Sequence, residues 1–128
     1  MGTTAGRMNN QEFARWWVRA WSNRDVDAVA DCFAETVRFV SPRAAEVTGK
    51  PVVVGRQALR DYWRRAVAGA KSIEFQLDQL LEDADGKRIV IVYTSDIDGR
   101  RKRACEFMQF DDEREIVAAE AMHGCLLP

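Results

Sequence analysis

Two side chains in the last third of the sequence could move a proton, and they are the first candidates for chemistry. Glu106 lies in the stretch R-A-C-E-F-M-Q-F-D-D, where its alternate neighbours Ala104 and Met108 are apolar. A charge among apolar neighbours is costly, so Glu106 must have a partner, be held neutral, or face a cavity that admits water or a ligand. His123 is the single histidine of the chain. A glutamic acid and a histidine that face one cavity could act as an acid and a base.

Both residues also have structural interpretations. A buried glutamate is often hydrated or ion-paired, and Arg38 on an earlier predicted strand could be its partner. A single histidine near the end of a chain more often has a structural or solvated role, because no second ligand or nucleophile accompanies His123 in the sequence. The two interpretations predict different geometries. Acid–base chemistry is favoured if Glu106 and His123 approach within hydrogen-bond reach at a pocket floor.

Several polar and aromatic side chains could shape a site around this pair. Ser41 ends a predicted strand, but no G-x-S-x-G elbow surrounds it, so it is predicted to line a pocket and not to act as a nucleophile. The hydroxyls of Tyr62, Tyr93 and Ser95 could line the same pocket or point to solvent. The tryptophans are predicted to be core residues first and a ligand wall second. The residues predicted to contact a ligand are Trp17, Ser41, Tyr62, Trp63 and Met108.

Composition excludes several classes of function. The 128 residues suffice for one domain with an ordinary core. A net charge of -1 argues against a nucleic-acid binder, and no apolar run is long enough for a membrane span. The three cysteines are far apart and form no C-x-x-C pair, so we expect no zinc site, no structural disulfide and a reducing cytoplasm. Gly-rich phosphate loops are absent from the sequence, and we expect neither a metal nor an organic cofactor.

The elements that must position these residues alternate in a way that is typical of an α+β fold. Residues 1–8 are predicted to be a loose tail, and residues 9–128 a single domain. Residues 43–54 contain Gly49 and Pro51 and are predicted to form a loop. Apolar periodicity and turn signals predict helices over 10–23, 26–34 and 55–68 and strands over 36–41, 72–81, 87–96, 103–112 and 115–123. We expect the helices to pack on one face of a curved, mixed or antiparallel sheet.

The order of these elements and five local motifs resemble a known superfamily. The motifs are A-R-W-W, D-V-D-A-V, F-V-S-P, G-R-Q-A-L-R-D-Y-W and M-Q-F-D-D. From about Phe13 to His123 the chain looks like the NTF2-like superfamily, and within it the SnoaL-like proteins and the steroid Δ5-isomerases. The resemblance implies a cone-shaped, cystatin-like fold with three helices inside a strongly curved sheet, a deep and mostly apolar pocket, and a homodimer through the outer face of the sheet. The apolar outer positions Cys105 and Phe107 agree with a covered face.

The isomerase motif is only partly present in this sequence. The aspartate general base of the isomerases corresponds to Ser41, which cannot shuttle a proton. The tyrosine that donates to the oxyanion corresponds to Trp17, and a supporting tyrosine corresponds to Trp63. The protonated aspartic acid of the oxyanion hole corresponds to Glu106, one carbon longer, and an aromatic pocket residue corresponds to His123. We therefore expect no steroid isomerase activity of the familiar kind.

Three classes of function remain, because this superfamily includes isomerases, cyclases, epoxide hydrolases and non-catalytic binding modules. The first is an enzyme that acts on a small, partly apolar carbonyl or polycyclic compound, with Glu106 and His123 as acid and base. The second is a binding protein without turnover, in which Glu106 anchors a ligand hydroxyl or amine. The third, a dimeric scaffold for a protein partner, is least favoured, since nothing in the sequence marks a partner surface.

Overall fold

The computed structural model of the chain describes residues 4–128, apart from the side chain of residue 4, as a mixed α+β fold. This fold class confirms the prediction. Within the described residues the elements are α1 (Thr4–Arg7), α2 (Asn10–Ser22), α3 (Val26–Ala30), β1 (Phe33–Val40), α4 (Pro42–Thr48), β2 (Val52–Val54), α5 (Arg56–Ala68), β3 (Ile73–Glu82), β4 (Arg88–Ile97), β5 (Arg100–Phe110) and β6 (Ile116–Leu126).

One sheet joins all six strands, in the order β2-β1-β6-β5-β4-β3. Neighbouring strands are antiparallel except β1 and β6, which are parallel, so the sheet is mixed. The turns that join β3 to β4 and β4 to β5 contain Gly86 and Gly99, whose φ values are 73° and 83°. Only glycine adopts such angles without strain, which explains why both turns contain it.

Helix α2 supplies the aromatic stripe that the core is built on. Its N-cap residue Asn9 accepts a hydrogen bond from the Glu12 N–H at 2.8 Å, and the Glu12 carboxylate accepts one from the Asn9 N–H at 3.3 Å. This reciprocal capping box fixes where the helix begins. Phe13, Trp17 and Trp21 are buried along one face of the helix, in agreement with the predicted spacing.

The segment 43–54 is not a loop, contrary to the prediction. Ser41 accepts a hydrogen bond from the Arg43 N–H at 3.1 Å and caps α4, which has proline in its first turn. The Ser-Pro pair that suggested the end of a strand is therefore also the beginning of a helix. Strand β2 follows and pairs with β1. Helix α4 and strand β2 were therefore not predicted from the sequence pattern.

Other boundaries also differ. Strand β5 begins at Arg100 instead of residue 103, and β6 ends at Leu126 instead of residue 123. Helix α3 ends at Ala30 instead of residue 34, because Phe33 and the residue after it join the sheet. Within the predicted tail of residues 1–8, the structure forms α1, and Ala5 is fully buried against the core. Residues 1–3 lie outside the described part of the chain.

Candidate functional site

A cavity of about 740 Å³ lies between the helices and the inner face of β3, β4, β5 and β6. We call its buried lining residues the floor and its exposed lining residues, together with half-buried Lys102, the mouth. Residues of the floor include Trp17, Trp21, Phe39, Ser41, Tyr62, Trp63, Tyr93, Ser95 and Glu106. A cavity of this size suits a small organic molecule.

Glu106 is the acidic group of this floor. Strand β5 places it opposite Ile91 on β4 and Ala121 on β6, and only 4% of the residue is exposed. Within residues 4–128 it has no hydrogen bond and no ion pair. The suggested partner Arg38 is exposed on β1, opposite Val54. Glu106 is therefore not an ion-paired structural glutamate.

The carboxyl group of Glu106 opens into the cavity. In the described part of the chain, the fully enclosed side-chain nitrogens and oxygens without a hydrogen-bond partner belong to Trp17, Trp21 and Arg60. Glu106 also lacks a partner but is not among them, so its oxygens reach open space, and the space beside them is the cavity. Burial raises the pKa of Glu106 to about 8. At neutral pH the group is therefore mainly a neutral acid that can donate a hydrogen bond.

Aromatic rings form the wall beside Glu106. Tyr93 lies 4.8 Å from Phe75 in a stacked arrangement and 5.1 Å from Trp17 in an edge-on one, measured between ring centroids. Trp21 contacts Trp63 edge-on at 5.0 Å. Burial, and secondarily the charge of Glu106, raises the pKa of Tyr93. The Tyr93 hydroxyl thus remains a donor.

Two donors of this wall have no acceptor in the described chain. The indole N–H groups of Trp17 and Trp21 are enclosed without a hydrogen-bond partner. Leaving such a group unpaired costs about 1–3 kcal/mol. Both rings line the cavity, but the N–H groups themselves do not reach its open space, so the two indoles offer a bound molecule apolar contact.

His123 lies at the mouth of the same cavity and not beside the acid. It pairs with Ala104, whereas Glu106 pairs with Ala121, so the two residues are one diagonal step apart on adjacent strands. Such neighbours have side chains roughly 7–8 Å apart at their bases. Among the described residues, His123 has a hydrogen bond to Lys102 and none to Glu106. The predicted acid–base pair therefore shares a cavity without direct contact.

The protonation of His123 follows from its neighbour. Lys102 Nζ lies 3.1 Å from His123 Nδ1. An ammonium group can only donate, so Nδ1 accepts and the ring proton is on Nε2. Burial and the positive charge of Lys102 both lower the pKa of His123 below 6.5. The imidazole is therefore neutral at pH 7.

A β-bulge directly follows His123. Lys102 pairs with Leu126 and Ala104 with His123, so two residues of β6 lie opposite the single Arg103 of β5. One of the two is Gly124, where a Cβ atom would lie 2.8 Å from the Arg103 carbonyl oxygen. His123 faces the cavity by alternation with Ala121, and the extra residue brings Leu126 to the same face.

The remaining predicted ligand contacts divide into two groups. Trp17, Ser41, Tyr62 and Trp63 all line the cavity. Met108 shares the inner face of β5 with Glu106 but is fully buried in the core and does not line the cavity.

The lining residues outside the predicted contact set include Trp21, for which a ligand wall was the second interpretation after the core, and Lys102. Trp21 is one helical turn from Trp17, so the helical spacing contained the signal. Lys102 is four residues before Glu106 and shares its face at the period of a strand.

A second depression of about 600 Å³ lies at the start of α5 and is lined by charged residues. Its arginines are already paired, with Arg56 bonded to Glu35 at 3.2 Å and Arg60 to Asp31 at 2.8 Å. In residues 4–128 there is no group of His, Cys, Asp and Glu side chains that could hold a metal ion. None of the helices described is long and apolar enough to cross a membrane.

Known proteins share this fold. A SnoaL-like protein of unknown function from Burkholderia thailandensis has a TM-score of 0.79 and 26% identity, over 90% of this chain and 93% of that one. SalBIII, an epoxide hydrolase/cyclase-like enzyme in pyran ring formation in the polyether salinomycin, has a TM-score of 0.67 and 20% identity, over 91% and 95%. A Catenulispora acidiphila protein with a ketosteroid isomerase-like fold, in complex with trimethylamine, has a TM-score of 0.62 and 19% identity, over 82% and 79%.

Sequence comparisons give the family directly. A search of functionally curated proteins found no match. The family model of the SnoaL-like domain matches residues 14–118, which include most of α2, the elements from α3 to β5 and the start of β6. Together with the NTF2-like folds of the similar structures, this match confirms the resemblance that the motifs suggested: the chain belongs to the SnoaL-like family.

Proposed function

We propose that this protein binds a small, partly apolar molecule in the cavity and that Glu106, as a neutral acid, donates a hydrogen bond to an oxygen of that molecule. The observation that carries the proposal is a buried carboxyl group without a partner in the described chain that opens into an aromatic-walled cavity. A solitary buried acid is costly to keep unless a ligand or water satisfies it. The aromatic wall supplies the apolar contact area.

An oxygen acceptor fits this floor better than an amine. Glu106 is mainly protonated at neutral pH, so it offers a donor and little negative charge. The mouth also carries the positive charge of Lys102. These features favour a carbonyl, hydroxyl or ether oxygen at the floor.

Intrinsic tryptophan fluorescence tests the proposal, because three of the reporters are lining residues. The protein is titrated with steroids, polyketide-like aromatics and small epoxides. We expect a saturable change for an oxygen-bearing member of the panel and a loss of affinity of about tenfold or more in Glu106→Leu, which removes the donor. Glu106→Gln keeps an N–H donor, so it retains part of the affinity. Met108→Leu is the matched control on the same strand face.

Two results would contradict the proposal. One is the absence of binding across the panel. The other is a Glu106→Leu variant that binds as tightly as the parent. The variants are expected to fold, since replacing an unpaired buried acid removes a destabilising group.

A second candidate function is acid–base turnover on the bound molecule. Glu106 and neutral His123 line one cavity a diagonal step apart, so a ligand between them could contact both. Exchange of the protons next to the carbonyl of a bound ketone for deuterium, followed by NMR, measures such chemistry. Glu106→Gln should bind the ketone yet lose the exchange, because an amide cannot accept and return a proton. Unchanged exchange in both Glu106→Gln and His123→Gln would exclude this role.

The proposal includes a homodimer and a cytoplasmic location. The outer face of the sheet presents apolar side chains, among them half-buried Val92 and Phe107 and Met122, which is 49% exposed. A partner subunit would cover them. All three cysteines are free thiols, which suits a reducing compartment such as the cytoplasm.

A further inference from the structure

The mouth of the cavity carries more positive than negative charge. The positively charged lining residues are Arg43, Arg65, Arg100 and Lys102, and the negatively charged lining residues of the mouth are Glu46 and Asp98. The two acids are already engaged. Glu46 is bonded to Arg43 at 2.9 Å, and Asp98 accepts the backbone N–H groups of residues 71 and 72 at 2.7 and 2.9 Å.

Lys102 is the half-buried cation of the mouth. Its one hydrogen-bond partner among the described residues is the neutral ring of His123, and Glu46, already bonded to Arg43, acts on it only from beyond ion-pair distance. No carboxylate in the described chain forms an ion pair with it. A partly buried ammonium ion without an anion is costly, and the cost disappears when an anion binds beside it.

His123 adds a second donor at the same point. Its Nδ1 accepts from Lys102, so its Nε2–H is free to donate. This N–H has no partner in the described chain, and the ring lines the cavity. An ammonium and an imidazole N–H side by side match the two oxygens of a carboxylate, which only accept.

We infer that the molecule bound in this cavity carries a carboxylate at the end opposite its oxygen acceptor, held by Lys102 Nζ and His123 Nε2–H at the mouth. The inference rests on the proposed function and names the ligand class: an apolar acid with a second oxygen at its far end.

The spacing sets the length of that ligand. Lys102 and Glu106 are on the same face of β5, with Ala104 between them. Four residues of strand span about 14 Å between Cα atoms, and His123 lies about 7–8 Å from Glu106, so the ligand has a length between these two distances. The apolar body of the ligand would lie over Ala104 and Ala121, the small residues of the floor on the inner sheet face.

A pair of probes tests the inference. The acid is a biphenylcarboxylic acid with an acetyl group at the opposite end of the biphenyl, and the neutral probe is its methyl ester. Binding of both is measured by isothermal titration calorimetry at low and high salt. The protein variants are Lys102→Gln, Lys102→Arg and Arg101→Gln. Arg101→Gln removes the same charge from the adjacent exposed residue, which does not line the cavity.

We expect the parent to bind the acid at least about tenfold more tightly than the ester at low salt. The preference should shrink as salt rises, vanish in Lys102→Gln, and persist in Lys102→Arg and Arg101→Gln. Equal affinity for acid and ester would overturn the inference, as would a loss of preference in Arg101→Gln as large as that in Lys102→Gln.

Failure of this inference and failure of the proposed function have different signatures. If the ester binds and Glu106→Leu weakens it while the acid shows no advantage, the carboxylate assignment is wrong and the proposed function stands. If the acid is preferred through Lys102 but Glu106→Leu changes nothing, the role of Glu106 is wrong and the carboxylate site stands. If neither probe binds at millimolar concentration, both are contradicted.

Discussion

Glu106 and His123 occupy diagonal positions on neighbouring antiparallel strands and line one cavity, yet each has a different environment. Glu106 lies at the buried floor without a partner in the described chain, and His123 lies at the exposed mouth with Lys102. The strand register thus separates a neutral acid from a neutral imidazole by about the width of a small ring system. This arrangement suits a ligand held at both ends better than a catalytic dyad in direct contact.

The pKa of Glu106 predicts how stability depends on pH. The pKa is raised from 4.5 to about 8 in the folded state, so between these values the folded protein holds a proton that the unfolded chain has lost. Stability therefore falls as pH rises through this window, by at most about 5 kcal/mol, and levels off above the folded pKa. Urea unfolding across the window measures the slope. Glu106→Gln should flatten the slope and be more stable than the parent at the alkaline end.

That pH prediction depends on the groups around the acid. Tyr62, Tyr93 and Cys105 are the titratable side chains on which the charge of Glu106 acts. Burial raises the pKa of all three above the ordinary value, so none of them titrates in the window. A parent and a Glu106→Gln variant with the same pH dependence would show that Glu106 is ionised in the folded protein. Binding of an oxygen-bearing ligand through the neutral acid should likewise weaken above about pH 8.

The bulge at Gly124 predicts that a side chain at this position lowers both stability and binding. In Gly124→Ala the new methyl group would lie 2.8 Å from the Arg103 carbonyl oxygen, so the end of β6 must shift. We expect a loss of about 1–3 kcal/mol in thermal or urea unfolding and weaker binding of the acidic probe, because His123 is the adjacent residue. Gly69→Ala is the control, since a Cβ atom there meets nothing within 4 Å. Equal stability of the two variants would contradict this role for the bulge.

Local patterns predicted the elements well and the site only in part. Period-two alternation was enough to place Glu106 on an inner face, and the same rule applied to Lys102 would have placed it there too. The bulge opposite Arg103 could not be predicted, because it depends on how two strands pair and not on either strand alone. Met108 shows that an inward-facing position does not guarantee contact with the cavity. It points inward from β5, but the aromatic packing of α2 decides where the cavity ends along that strand.

A polar cluster away from the cavity predicts a purely structural effect. Asn10 donates to the Glu82 carboxylate at 3.0 Å and to the Gly86 carbonyl at 2.9 Å, and it accepts from Arg114 at 2.6 Å. These bonds join α2 to two turns of the sheet. Asn10→Ala removes these three hydrogen bonds, two of them to charged side chains, and should cost about 1–3 kcal/mol in urea unfolding. The exposed neighbour substitution Gln11→Ala should be near neutral, and ligand affinity should change in neither variant.

The outer face of the sheet predicts the assembly state. Met122 is 49% exposed and pairs with Cys105 on the side of the sheet opposite the cavity. A homodimer through this face would bury it, so Met122→Glu should place a charge in the interface and shift the protein toward monomer. Light scattering during size-exclusion chromatography measures the mass directly. Val54→Glu adds the same charge at a residue that is 65% exposed on the edge strand β2 and should leave the mass unchanged. A parent that is monomeric at micromolar concentration, or a Met122→Glu variant that remains dimeric, would contradict a dimer through this face.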